Sequence, residues 1–305
     1  LRSPALALLP CRLVSSPPRF RPPTRNARHA VGGTRLRPVR LRKAKDTKAK
    51  GISVEWTDEG IVLSVRPHGE SAAVVTLMTE AHGRHAGLMR GGASARHKGM
   101  LQPGNAVRAV WRARLAEQLG SYSLELGESH AADLFDDPLK LSGLSAACAV
   151  ADRALPEREP HPAVHAGLEA LIQAMRNEAL GDLWIAVYVR WELGVLAELG
   201  YGLDLSSCAA TGSNDQLAYV SPRTGHAVSL SAGEPYREKL LSMPDFLIGR
   251  GDGAIADLLK GLDLTGHFLE KNLFNTQGEQ NPASRTRFRD RIESLAPPAP
   301  SELID

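Results

Sequence analysis

The stretch Arg108-Ala109-Val110-Trp111-Arg112-Ala113-Arg114-Leu115 sorts its side chains strictly by parity. Ala109, Trp111, Ala113 and Leu115 share one face of an extended chain; Arg108, Val110, Arg112 and Arg114 share the other. That alternation predicts a half-buried strand with Trp111 turned inward and arginines turned out. Upstream, Ile61, Leu63 and Val65 alternate with Val62, Ser64 and Arg66 and stop at Pro67-His68-Gly69. Ala73, Val75 and Leu77 repeat the pattern up to Ala81-His82-Gly83, and His85 to Arg90 reaches Gly91-Gly92. Ser121 to Leu126 follows Gly120 as a fifth strand. Five short strands at this spacing predict a small barrel of the OB type.

Past Asp136-Asp137-Pro138 the period changes from two to 3.6 residues, with Asp suited to cap a helix and Pro to open it. Helices are predicted over Pro138–Ala154, Pro162–Asn177, Leu180–Leu199, Ala254–Phe274 and Ser284–Leu295. In the third, Leu180, Trp184, Val187, Trp191 and Val195 form an apolar stripe that Gly200 and Gly202 end. Between the third and fourth, residues 206–232 are rich in Gly, Ser and Thr, with strand-like Leu217–Val220 and Ala227–Leu230, and read as a hairpin-bearing insertion. The fold class expected is α+β: a five-stranded OB-type barrel over residues 54–130, then an all-helical domain over 131–305 with a short β-hairpin insertion.

Charge is distributed unevenly. Residues 1–50 hold ten Arg and four Lys against the single Asp46, a local +13 that leaves the remainder at −10 although the whole chain is +3. Seven of the twenty prolines fall in the same segment, so residues 1–53 are expected to be a disordered basic extension. An organelle transit peptide and a basic arm for nucleic acid are two accounts of it. The plainer one is sequence translated upstream of the true start, because the chain opens on Leu1 and Val54 can serve as an alternative start codon. The tail from Ala296 to Asp305, Pro-rich and acidic, is expected to be mobile. No run of about 18 uncharged apolar residues occurs, which excludes a spanning helix. Cys11, Cys148 and Cys208 are too few and too scattered for a disulfide framework and suit a reducing compartment, so a cytoplasmic location is expected.

The most informative motif runs Gly87-Leu88-Met89-Arg90-Gly91-Gly92-Ala93-Ser94-Ala95-Arg96-His97-Lys98-Gly99 and leads into Met100-Leu101-Gln102-Pro103-Gly104. A Gly- and Ser-rich loop can lie flat against a nucleic-acid backbone, with Arg90, Arg96 and Lys98 supplying phosphate donors. Arg108, Arg112 and Arg114 add an open face on a neighbouring strand; a solvated basic face is the plainer account of both. Aromatic residues for base stacking are scarce, because Trp56, Trp111 and Tyr122 are the only ones in the barrel segment.

Signals for bond-making chemistry are weaker. Gly249–Ala254 satisfies the Gly-x-Gly-x-x-Ala pattern of a dinucleotide loop, but Pro244 shortens the apolar run before it and no second βαβ unit follows. His82 and His85 stand three apart without a Cys or carboxylate to complete a metal set, and read as surface histidines of a turn. Cys148 lies within an apolar helix and reads as core. Neither a phosphate-binding Gly-x-x-x-x-Gly-Lys loop nor a Gly-x-Ser-x-Gly elbow is present, so the chain reads as a non-enzyme with no cofactor. The rival classes are a nucleotide-dependent enzyme using Gly249–Ala254 and an OB-type RNA-binding factor.

Taken in order, Glu55-Trp56-Thr57-Asp58-Glu59-Gly60-Ile61-Val62-Leu63, His82-Gly83-Arg84, Arg90-Gly91 and Leu101-Gln102-Pro103 form one series of motifs. Glu198-Leu199-Gly200-Tyr201-Gly202-Leu203-Asp204-Leu205, Cys208, Thr211-Gly212 and Tyr219-Val220-Ser221-Pro222 continue it. From about Val54 to Leu295 the chain resembles the RecO family of DNA repair and recombination-mediator proteins. The resemblance implies an OB barrel and a helical domain that bind single- and double-stranded DNA and anneal complementary strands coated by single-stranded DNA-binding protein (SSB). With RecR, such proteins help RecA replace SSB in recombinational repair. It carries a DNA-contact role onto Arg84, Arg90, Arg96 and Lys98, while Arg66, Arg108, Arg112 and Arg114 are added from strand parity. SSB is engaged in this family through its acidic, aromatic-ended tail, for which Arg153, Arg158, Arg176 and Arg190 are candidate slot edges. Many members hold zinc with two Cys-x-x-Cys pairs. Here the first pair reads Cys208-Ala209-Ala210-Thr211 and the second falls on Ser229 and Ala232, so the insertion is a degenerate zinc finger and no metal is expected. Tyr219, Val220 and Val228 are expected to hold its hairpin instead.

Overall fold

The computed structural model describes residues 53–296 except residues 215 and 252. The basic extension and the acidic tail expected from the sequence lie outside those residues, save for Ser53 and Ala296. Five strands, β1 (Val54–His68), β2 (Ala72–Thr79), β3 (Gly83–Met89), β4 (Ala106–Ala113) and β5 (Ser121–Leu126), close a barrel in the order β1-β2-β3-β5-β4. The one-turn helix α1 (Ala95–Lys98) bridges β3 and β4, and α2 (His130–Asp133) leaves the barrel. Next come α3 (Pro138–Ala154), α4 (Pro162–Arg176) and α5 (Trp184–Glu198). The strands β6 (Leu217–Val220) and β7 (Ala227–Ser229), α6 (Leu230–Gly233), β8 (Leu241–Ser242), α7 (Ile255–Leu269) and α8 (Ala283–Glu293) complete the order.

Parity decides the barrel interior. Val62, Val75, Leu77, Val107, Ala109 and Trp111 are buried in one cluster, while Arg108 and Arg112 on the alternate positions of β4 are exposed. The first strand departs from simple alternation: Ile61, Val62 and Leu63 are all buried. A register shift between Val62 and Ser64 marks an irregularity there, and Ile61 and Leu63 turn outward with Met78 into the core built by α3, α5 and α7. The barrel is thus buried on both sides where the helical domain covers it. Gly83 fixes that junction: its φ is +63°, and a Cβ there would lie 1.8 Å from the Glu159 carbonyl oxygen.

Asp137 accepts hydrogen bonds from the Leu139 and Lys140 amides with Pro138 in the first turn, so α3 starts where Asp-Pro predicts. The predicted Ala254–Phe274 helix is α7 followed by a π-helical turn over Glu270–Phe274, and the predicted third helix begins with a 3₁₀ segment, Glu178–Leu183. Trp184 and Tyr188 of α5 pack on Phe288 of α8, with ring centroids 5.6 and 4.9 Å apart. The insertion is more than a hairpin, because β8 pairs with β6 and makes a three-stranded sheet ordered β7-β6-β8. No helix among the described residues is long and apolar enough to cross a membrane.

Candidate nucleic-acid interface

The basic motif folds rather than lying flat. Gly91 takes φ +71°, the Ser94 amide bonds the Gly91 carbonyl, and residues 95–98 wind one helical turn. His97 Nδ1 sits 2.9 Å from the Gly91 oxygen and 3.1 Å from Ser94 Oγ, which ties the turn back on itself. Asn105, fully buried, holds it from below: its amide nitrogen donates to the Gly99 and Met100 carbonyls at 2.8 and 3.3 Å, and its oxygen accepts the Ala131 N–H at 3.0 Å. Its main-chain oxygen accepts the Val62 N–H at 2.9 Å. One side chain therefore connects the basic turn to α2, and its backbone connects it to β1. The sequence motif contained His97 but gave it no role, and Asn105 carried no signal beyond its place after Pro103-Gly104.

The eight predicted cations divide by what they touch. Arg90, Arg96, Lys98 and Arg114 are exposed, and none has a carboxylate within salt-bridge distance among the described residues. Arg66 is also exposed but lines another cleft, with Arg84, Asp152, Arg153 and Glu279. Arg108 stands between two carboxylates, opposite Glu59 on one neighbouring strand and Glu125 on the other. Arg112 is bonded twice by Glu55, Nε at 2.7 Å and Nη2 at 3.0 Å. That hydrogen bond raises the Arg112 pKa and lowers that of Glu55. The open arginine face expected on β4 is thus a mixed-charge ladder, since Glu55 and Glu59 share the parity that faces it. Both ends of the Glu55–Arg112 pair are exposed, so a phosphate can exchange for the carboxylate at small cost.

Arg84 has a different occupation. Its Nε donates to the Leu155 carbonyl at 2.7 Å, its Nη1 lies 3.6 Å from Asp152, and its own carbonyl accepts the Arg158 N–H at 2.7 Å. It pins the barrel to the helical domain and projects no free guanidinium. The barrel aromatics are likewise occupied: Trp56 stacks on His82 at 4.0 Å and on Trp111 at 5.7 Å, with His85 and Tyr122 edge-on to it. His85 is a buried residue rather than a surface one. Its Nδ1 meets Tyr122 Oη at 3.0 Å, and burial, helped by the charges of Arg158 and His82, lowers its pKa to about 4. Among the described residues no group of three or more His, Cys, Asp or Glu side chains is placed to hold a metal.

A family model described as recombination protein O N terminal matches residues 53–129, and one described as recombination protein O C terminal matches residues 136–278. The DNA repair protein RecO of Rhodospirillum centenum is 58% identical over 240 residues, covering 78% of this chain and 94% of that protein. Those of Phenylobacterium zucineum and Caulobacter vibrioides are 53% and 52% identical over 241 and 242 residues, covering 78% and 79% of this chain and 98% and 96% of theirs. The chain belongs to the RecO family. For a RecO protein, the rival dinucleotide loop has no supporting geometry either: the residues before Gly249 form a 3₁₀ turn, Asp245–Ile248, where a nucleotide fold needs a strand, and Asp252 lies outside the described residues.

Zinc does not fit this RecO chain. Cys208 Sγ lies 3.4 Å from Ser229 Oγ and accepts the Ser229 N–H at 3.2 Å, and Thr211 also bonds the sulfur, so three of the four positions aligned with zinc ligands converge. They offer a single thiol, and tetrahedral structural zinc needs four ligands. The Ser229 and Thr211 side chains hydrogen-bond the sulfur and hold its pKa down to about 6 against the effect of burial. Hydrogen bonds at that point, with Val220 and Ala227 fully buried, hold the insertion. Tyr219 and Val228, expected to share that role, are only half-buried. Cys148 is fully buried core, its thiol pushed up to about 12 by burial.

Proposed function

We propose that the chain binds single- and double-stranded DNA, anneals complementary strands, and with RecR helps load RecA onto SSB-coated single strands, making and breaking no covalent bond itself. A cytoplasmic setting follows from that substrate. The observation that carries the reading is the pinned basic turn: Arg90, Arg96 and Lys98 are exposed on it, clear of carboxylates among the described residues, although residues 51–305 are acidic overall. Two strands pair only when the repulsion between their phosphates is reduced. Releasing counterions from each backbone through fixed cations does that without reading sequence. Arg114 adds an exposed cation just past the far end of β4, and Arg108 and Arg112 between them contribute to the extent that phosphate displaces their carboxylates. Arg66 stands apart in its own cleft, and Arg84 supports the reading only through the domain junction it pins.

For the SSB tail, Arg190 is the edge that the packing favours. Arg153 pairs with Glu279 and Arg176 with Glu128 and Asp133, while Arg158 donates to the Ala116 and Gln118 carbonyls. Arg190 also donates to a carbonyl, that of Phe246 at 2.5 Å, but it borders an apolar slot of about 260 Å³ between α4 and α5, lined by Val164, Gly167, Val187, Trp191 and Gly194. An acidic peptide with an aromatic end matches that chemistry.

The test is to mix complementary fluorescent oligonucleotides without nucleotide or metal. Pairing should accelerate, slow steeply as salt rises, and return to the uncatalysed rate with Arg96→Glu plus Lys98→Glu. Acceleration untouched by that double substitution overturns the reading.

A further inference from the structure

The geometry points to Phe135 as a stacking platform for an unpaired base of single-stranded DNA, in a groove that joins the basic turn to α8. Phe135 follows α2 and leaves 74% of its surface exposed, the most of any large apolar side chain among the described residues. It lines a groove of about 910 Å³ whose floor includes Met100, Leu124, Leu126 and Leu141, with Arg96 and His97 at one edge. Leu126 is itself 49% exposed. Leu141 also lines a second, polar cleft with Ser142, Ser145, Ser284, Arg287 and Arg291, which places two further cations in the adjoining cleft. Arg287 is exposed with no carboxylate within salt-bridge distance among the described residues; Arg291 donates to the Pro138 carbonyl at 2.7 Å and keeps its charge.

The acids around this track are mostly engaged. Glu128 and Asp133 pair with Arg176 at 2.9 and 3.1 Å and Asp137 caps α3, while Glu125, opposite Arg108 in the strand register, itself lines the groove. Asp136 stands exposed beside Phe135. A chain that alternates flat apolar groups with single negative charges fits an apolar floor with an aromatic plane and cations at both ends. Single-stranded DNA has that chemistry, and duplex DNA, whose bases are already stacked, does not. The barrel's own aromatics stack on one another, so Phe135 supplies what they do not.

This inference rests on the DNA-binding reading, and the experiment separates the two. Binding of oligo(dT), an abasic strand of equal length and a duplex is measured by fluorescence anisotropy for the full chain and for Phe135→Ala, Phe135→Trp and Arg287→Ala. Wild-type protein should bind oligo(dT) more tightly than the abasic strand. Phe135→Ala should weaken oligo(dT) by about 5- to 150-fold, leave the abasic strand and duplex unchanged, and keep the melting temperature. Phe135→Trp should restore binding and show tryptophan quenching on adding oligo(dT). Arg287→Ala should lower the single-strand salt slope by about 0.7. Equal loss on oligo(dT) and the abasic strand, or no loss on either, overturns the stacking site while DNA binding stands; groove occupancy by an acidic aromatic peptide that Phe135→Ala abolishes, with oligo(dT) binding unchanged, overturns it too. Failure of the wild-type chain to bind any of the three strands overturns the DNA-binding reading instead.

Discussion

Replacing Asn105 by Ala deletes a side chain that makes three hydrogen bonds in a site with no solvent access. The Ala131 N–H and the Gly99 and Met100 carbonyls lose their partner, and each such bond contributes about 1 kcal/mol net, so Asn105→Ala should cost about 3 kcal/mol. The loss should be local before it is global. Without Asn105 the turn carrying Arg96 and Lys98 keeps its own bonds, through His97 and Gly91, and the bond of the Ala93 N–H to the Ser71 carbonyl, and amides of residues 94–101 should exchange with deuterium faster at low denaturant. Ordering two long cations on binding then costs about 0.5 kcal/mol each at the least, which weakens DNA binding about fivefold or more. Urea unfolding gives the stability change, exchange mass spectrometry locates it, and anisotropy gives the affinity. If Asn105→Ala lost 3 kcal/mol but bound DNA as tightly as wild type, the claim that a pinned turn presents these cations would be refuted.

Three other perturbations have definite signs. Glu192 and Arg285, both buried, share two bonds of 2.7 and 2.8 Å with Thr265 as a third member, and the carboxylate raises the Arg285 pKa although burial opposes its charge; Glu192→Ala should cost about 3–5 kcal/mol in a urea melt, while Glu192→Leu with Arg285→Met should recover most of it. His85, lowered from 6.5 to about 4, binds its proton more weakly folded than unfolded, so it contributes stability in full above pH 6.5 that is lost as pH falls toward 4. His130 shifts the same way by burial, and His85→Gln should flatten the urea midpoint across that window; an unchanged slope contradicts the assignment. A side chain at Gly194 meets nothing within 4 Å, so Gly194→Leu should fill the slot beside Arg190, abolish binding of an SSB tail peptide and leave the melting temperature within a few degrees.

What the sequence discloses follows from the range of the interactions involved. Strand parity in 108–113 and the Asp-Pro start of α3 are local, and both hold; the strand ends at Ala113, however, and Leu115, expected to face inward, is exposed. The two-sided burial of Ile61 to Leu63 is not local, because it depends on α3 lying against the barrel. The cations divide the same way. Arg90, Arg96 and Lys98 are exposed because their own turn exposes them, whereas the occupation of Arg112 depends on strand register with Glu55, 57 positions away, and that of Arg84 on Leu155, 71 away. Phe135 carries no signal in the sequence; only the tertiary arrangement leaves it in an open groove. Cys208 and Ser229 illustrate a third case: sequence identifies the lost ligands, but the hydrogen bonds that take their place emerge from geometry.

The central claim is that a few exposed cations on one pinned turn neutralise DNA phosphates, and the slope of log binding constant against log salt for oligo(dT) measures it. Substituting Arg90, Arg96 and Lys98 together by Ala should reduce that slope by about 2, at roughly 0.7 for each phosphate no longer neutralised, with the melting temperature unchanged. Substituting Arg112, whose guanidinium already has a carboxylate, should reduce it by less than any one of the three. A triple variant with the wild-type slope, or a larger change from Arg112 alone than from the turn, contradicts the account.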